Sequence, residues 1–183
     1  MGIDSEDVEL LVKKCQEESP FGTKAFKELV LLFQPFIHRF CFNYVKNEND
    51  AEELTQTILL KVYHNINKFK FDSKFKTWLY RIAVNQCTDL YNKDKRQAQL
   101  KKEMMEYRGE TTPEDTHADR LAIKDDIDSY LLKMPDPERE ILILRFYEDL
   151  KVKEISDTLD ISLSAAKMRL SRAVEHFKIL YDP

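Results

Sequence analysis

The residues best suited to chemistry lie between Lys68 and Arg96. The stretch FKTWLYRIAVNQCTDLYNKDKR, residues 75–96, sets aromatic rings and the Asn85 amide beside the cations Lys76, Arg81, Lys93, Lys95 and Arg96. Lys68, Lys70 and Lys74 precede it, and the only acids in the span are Asp72, Asp89 and Asp94. Rings next to cations suit single-stranded nucleic acid, whose unstacked bases lie on aromatic faces while its phosphates meet positive charge. They equally suit an amphipathic helix with a buried aromatic stripe. On the residues alone both readings stand.

Other chemistries are poorly served. His38, His64, His117 and His176 lack metal-ligand spacing, and His38 with Cys41, three apart, has no further ligand close in sequence. There is no glycine-rich phosphate loop and no nucleophile motif. No enzymatic activity, cofactor or metal is therefore expected. The N-terminus, MGIDSEDVELL, is acidic and amphipathic rather than a secretory signal. Cys15, Cys41 and Cys87 are odd in number and scattered, so they read as reduced thiols of a cytoplasmic protein. No apolar run approaches the roughly 18 residues of a membrane span, so membrane insertion is not expected.

The elements that must position these residues are helical. In 183 residues glycine occurs only at positions 2, 22 and 109, and turn glycines are what sheets usually need. From Thr23 to Val45, apolar residues recur at three-and-four spacing, with Pro35 expected to kink or divide the run. KNEND follows as a turn. Asn49 or Asp50 is placed to cap the next helix, with Glu53 completing a capping box. That helix buries Leu54, Ile58, Leu59, Val62, Tyr63 and Ile66. Ser73 is placed to cap the segment that buries Phe75, Trp78, Leu79, Ile82, Ala83 and Leu90. Periodicity fades from Gln97 to about Asp119, a polar stretch with Gly109 and Pro113 that reads as a linker, helical at its start. Helical spacing returns at Leu121 and Ile123, and Pro137 suits a first helical turn.

The last third predicts a helix over EREILILRFYEDL, a short one over KVKEISDTLD and a longer one after Ser162, which is placed to cap it. A short helix, a tight turn and a longer basic helix make a helix-turn-helix. Leu163, Ala166, Leu170, Ala173, Val174 and Phe177 form the inward stripe of the third helix. Lys167, Met168, Ser171 and Arg172 fall outside it, on a face that can enter a major groove. Helical hairpins of this kind also occur in proteins with no DNA role, and the net charge is acidic, with 29 Lys+Arg against 33 Asp+Glu.

Three segments in order, DAEELTQTILLKVYHNINKF (50–69), FKTWLYRIAVNQCTDLY (75–91) and MPDPEREILILRFYEDLKVKEISDTLDISLSAAKMRLSRA (134–173), resemble the extracytoplasmic-function sigma factors of bacterial RNA polymerase, in the sigma-70 superfamily. The resemblance implies an all-α fold of two small helical domains joined by a flexible linker. A region 2 domain would cover 1–96, the linker 97–120 and a region 4 helix-turn-helix domain 121–183. It implies an alternative sigma factor that binds core polymerase through the β′ clamp helices and β flap and recognises promoter DNA. A separate anti-sigma factor would be the regulator. Asp50, Glu52, Glu53, Gln56 and Thr57 match the polymerase-binding surface, with Thr57 standing where an acid is common. The −10 contacts would come from Lys68, Phe69, Lys70, Ser73, Lys74, Arg81, Asn85, Lys93 and Arg96. Asn85 would hold a flipped base and the cations would face phosphates. The −35 duplex would be read by Lys167, Met168, Ser171 and Arg172, with Arg169 on a phosphate or structural. Asp160 replaces a frequent turn glycine, and Ala165-Ala166 replaces a more usual Thr-Val.

Overall fold

The structure, a computed structural model, describes residues 5–18, 23–107 and 127–181. Every regular element among them is helical: α1 (Ser5–Glu18), α2 (Lys24–Val45), α3 (Glu48–Asn65), a 3-10 turn (Ile66–Lys68), α4 (Phe75–Tyr107), α5 (Ile127–Lys133), α6 (Asp136–Leu142), α7 (Val152–Leu159) and α8 (Leu163–Tyr181). The end of α6 widens into a π turn, Ile143–Tyr147.

Local chemistry accounts for the ends. Ser162 Oγ accepts from Ala165 N–H at 3.1 Å, capping α8 as expected. Asp160 closes α7 in the left-handed conformation (φ 54°, ψ 46°), which aspartate tolerates where glycine is commoner. Pro137 sits in the first turn of α6. Two expectations are corrected, and one of two alternatives at Pro35 is excluded. Helix α3 starts earlier and is capped by Asn47, whose side chain accepts from Asp50 N–H at 3.0 Å, not by Asn49 or Asp50. The first carbonyl of α4 belongs to Lys74, which accepts from Thr77 and Trp78 N–H, not to Ser73. Pro35 does not divide α2. It lies with Leu31 on the exposed side, so the Leu31 carbonyl that loses its helical donor faces water.

Helices α1 to α4 bury one apolar face each around Phe33, Ile37, Phe40, Ile58 and Leu79. The aromatic stripe of residues 69–80 belongs to this core: Phe75 lies 5.3 Å from Phe33 and 5.6 Å from Trp78, and Phe40 lies 5.5 Å from Tyr80. Each such ring contributes roughly 1.5–3 kcal/mol on burial. In α6 to α8, Ile141, Leu144, Ile155, Ala166 and Ala173 are fully buried. Leu163, assigned to the inward stripe, opens α8 and is 40 % exposed. Helix α4 runs on through Tyr107, so the first part of the expected linker is helical; positions 108–126, including Leu121 and Ile123, lie outside the described residues.

The two halves pack against each other along α4. Glu148, fully buried, accepts from Arg39 at 3.2 and 2.7 Å and from the Tyr80 hydroxyl. Glu140 accepts from Thr88 Oγ1 at 2.7 Å and Tyr44 OH at 3.3 Å. The Arg139 guanidinium lies 4.6 Å over the Tyr44 ring, and Lys46 pairs with Asp128 at 2.6 Å. A buried carboxylate is tolerated only when its lone pairs are met by such donors.

Candidate nucleic-acid and polymerase interfaces

Arg81, Asn85, Asp89, Lys93 and Arg96 follow one another at three- and four-residue intervals, so α4 aligns them along one side. The loop 68–74 leads into that row. Lys68, Lys70 and Lys74 are exposed, Ser73 is half-buried, and Asn85, Lys93 and Arg96 are exposed. The Lys95 side chain lies outside the described residues. Phe69 departs from expectation. It is only 3 % exposed, 4.8 Å from Phe71 and 5.4 Å from Trp78, so its ring supports the loop from beneath instead of meeting a base.

Part of this row faces α7. Lys74 Nζ lies 2.9 Å from Glu154 Oε1, and Arg81 donates to the Asp157 carbonyl. The Lys74 hydrogen bond holds the Glu154 carboxyl below its ordinary range and raises the Lys74 ammonium. The walls enclose a cleft of about 870 Å³ between Lys68–Arg81 and Lys151–Ile161. A second cleft, about 710 Å³, has Asn85 on one wall and Asp136, Glu140 and Arg169 across from it. Burial pushes the Glu140 carboxyl above its ordinary range, against the lowering effect of its bonds to Thr88 and Tyr44. The groups opposite the row were not legible in the sequence, because Glu140, Glu148, Glu154 and the Asp157 carbonyl meet Thr88, Tyr80, Lys74 and Arg81 across 52, 68, 80 and 76 positions of chain.

The other basic face is open. Lys167, Met168, Ser171 and Arg172 are all exposed on α8, Met168 at 55 %. Arg169 is half-buried and turned into the second cleft, apart from them. On α3, Glu52, Glu53 and Gln56 are exposed, Asp50 and Thr57 half-buried, and Gln56 Nε2 lies 3.5 Å from Glu52 Oε1. One helical turn further, Leu60 is 60 % exposed. It extends the acidic surface with an apolar residue that sequence reading missed; its signal is that it falls out of register with Leu54, Ile58 and Val62.

Cys15, Cys41 and Cys87 are free thiols and all buried. Among the described residues no helix is long and apolar enough to cross a membrane, and no group of three or more His, Cys, Asp or Glu is placed to hold a metal.

Residues 29–97 match the family model of sigma-70 region 2, and residues 124–177 match that of sigma-70 region 4. The chain is 30 % identical to the ECF RNA polymerase sigma factor SigW of Bacillus subtilis (strain 168), over 92 % of this chain and 95 % of that one. It is 26 % identical to the ECF RNA polymerase sigma-E factor of Escherichia coli (strain K12), over 91 % and 90 %. The fold is similar to that of CnrH solved with the cytosolic domain of CnrY (TM-score 0.70, 22 % identity, 98 % of each chain). It is also similar to RpoE of Bartonella quintana solved with the anti-sigma factor NepR (TM-score 0.65, 24 % identity, 86 % of this chain and 96 % of that one). The chain belongs to the extracytoplasmic-function sigma factors of the sigma-70 family, transcription initiation factors that act with RNA polymerase on promoter DNA and are not enzymes.

Proposed function

We propose that this sigma factor reads the −35 duplex with the outer face of α8 and captures the melted −10 non-template strand with α4 and the loop 68–74. The observation that carries the reading is the single row from Arg81 through Asn85 to Lys93 and Arg96, entered by the cationic loop. An amide offers two donors and an acceptor to the edge of an extruded base. Contacts to that base offset the few kcal/mol that unstacking costs. The flanking cations attract the strand's phosphates. The exposed residues of α3, from Asp50 through Glu52, Glu53 and Gln56 to Thr57, meet the β′ clamp helices, with Leu60 at the edge. The C-terminal domain docks on the β flap. The protein works in the cytoplasm, where a separate anti-sigma chain restrains it.

In the arrangement described above, Glu154 and the Asp157 carbonyl occupy Lys74 and Arg81, the groups that this reading assigns to the strand. The C-terminal domain therefore lifts away from α4 when polymerase binds.

The experiment is permanganate reactivity of −10 thymines with reconstituted holoenzyme on a promoter selected in vitro. Asn85→Ala is expected to lower reactivity at least tenfold while core binding is unchanged. Wild-type melting in that variant would remove Asn85 from the site.

A further inference from the structure

Helix α1 lies outside the matched region 2 segment, yet it holds the loop that region 2 presents. Gln16 Nε2 donates to the Ile66 carbonyl at 2.8 Å and to the Phe69 carbonyl at 2.9 Å, residues 50 and 53 positions away. A primary amide has two N–H groups, and here both bind the backbone, one at each end of the turn that opens the loop. The Ile66 carbonyl also accepts from Phe69 N–H at 3.1 Å, which closes the 3-10 turn itself. Two residues further, Phe71 has φ 58°, a region that a bulky side chain enters only when its surroundings require it. Lys13, one turn before Gln16, places its ammonium 5.4 Å from the Phe71 ring centroid. Val12 and Cys15 are buried against the core, so α1 is anchored and the two polar residues are aimed from a fixed base.

We propose that α1 is a brace for the strand-capture loop and that Gln16 is its positioning residue. Gln16 fixes the backbone at Ile66 and Phe69, and Lys13 holds Phe71. Together they set the direction in which Lys68, Lys70 and Lys74 leave the surface. Gln16 touches no DNA; it acts through the loop. The proposal rests on the reading of that loop as the −10 strand site.

The test uses the full chain with Gln16→Met, which keeps an unbranched side chain and removes both donors. Trp78 is the only tryptophan in the protein and lies 5.4 Å from Phe69, so its emission reports the packing under the loop. Gln16→Met is expected to change Trp78 emission and to speed amide exchange at residues 66–74 only. With holoenzyme on the selected promoter, it is expected to slow −10 opening about tenfold, the scale of two lost hydrogen bonds, with core affinity unchanged. Asn85→Ala is run in parallel. If Asn85→Ala is defective and Gln16→Met opens DNA at the wild-type rate, the brace is overturned and the reading of the site survives. If both open DNA normally, the site reading fails and the brace falls with it. Faster exchange spread evenly over α1 to α4 would reduce Gln16 to a general stabiliser and also overturn the proposal. Should Gln16→Met fold poorly, Lys13→Met replaces it, with the same expected exchange pattern and the same overturning result.

Discussion

The chain carries two basic surfaces suited to nucleic acid, and they are presented in opposite ways. On α8, Lys167, Met168, Ser171 and Arg172 are all exposed. Along α4 and its loop, Lys74 and Arg81 are already bonded to α7, and Asn85 looks across a cleft at Asp136, Glu140 and Arg169. The difference follows from what each helix packs against. Helix α8 buries one stripe and leaves the opposite face to solvent. Helix α4 is packed on two sides, by α2 and α3 and by α7. The face proposed to read duplex stands open, whereas the row proposed to take a single strand is faced by Glu154, the Asp157 carbonyl, Asp136 and Glu140 of the same chain.

The largest expected effect comes from breaking the pairing that closes α4. Arg39→Ala removes two hydrogen bonds from buried Glu148 and leaves Tyr80 as its partner. Stripping a partner from a buried carboxylate costs about 2–3 kcal/mol, toward the lower end because Arg39 is half exposed. The free chain is then expected to bind a labelled −10 non-template oligonucleotide at least tenfold more tightly by anisotropy, with −35 duplex affinity unchanged. An equal gain for both DNAs would erase the distinction between the two faces.

The converse variants act on the open face. Lys167→Ala and Arg172→Ala are each expected to cost about 1–3 kcal/mol in holoenzyme binding to a −35 duplex. Neither should alter −10 melting or the packing of the two halves. Normal duplex binding by both would show that the reading face lies elsewhere on α8.

A smaller effect is expected at the exposed pair. Lys74 and Glu154 make an ion pair worth under about 1 kcal/mol, so Glu154→Gln should raise strand affinity by less than about fivefold. No measurable change, combined with a large one for Arg39→Ala, would place the closure in the buried carboxylates rather than at the cleft mouth.

The smallest concerns pH. Burial raises the Glu140 carboxyl, so the folded chain binds its proton more readily than the unfolded chain does. That share of stability is complete below the unfolded range, about 4.3, and is lost as pH rises through the folded value. Glu140→Gln keeps an acceptor for Thr88 and carries no charge. Thermal midpoints of the two proteins are expected to agree at about pH 4 and to separate in favour of Gln toward about pH 7. A constant difference across that range would contradict the assignment.

What could be read from the sequence divides along the same line. The helix-turn-helix was legible because its signals are local: Ser162 three residues before Ala165, Asp160 in a tight turn, Pro137 at a helix start, and an apolar period that leaves Lys167 and Arg172 outside. The aromatic stripe of α4 was legible for the same reason. The second packed side of α4 was not. Tyr80, Val84 and Cys87 are buried as deeply as the stripe, yet the groups that meet this side, Phe40 5.5 Å from the Tyr80 ring, Glu148 at the Tyr80 hydroxyl and Cys41 beside Cys87, are distant in sequence and leave no periodic mark in α4. The same holds for Phe69, whose ring reads as a ligand platform beside lysines until Phe71, Phe75 and Trp78 are seen around it. The Asn47 cap was missed because KNEND offers several residues able to cap.

The most direct test of the closed −10 face is a distance between the two halves. Fluorophores on cysteines introduced at exposed Lys27 and Glu175, neither in a proposed binding face, the native cysteines being buried, would report energy transfer in the free chain and after addition of core polymerase. High transfer that falls on polymerase binding, and that starts lower in Arg39→Ala, is the expected result. Transfer that stays at its free-chain value in a holoenzyme that melts the −10 region normally would contradict the account.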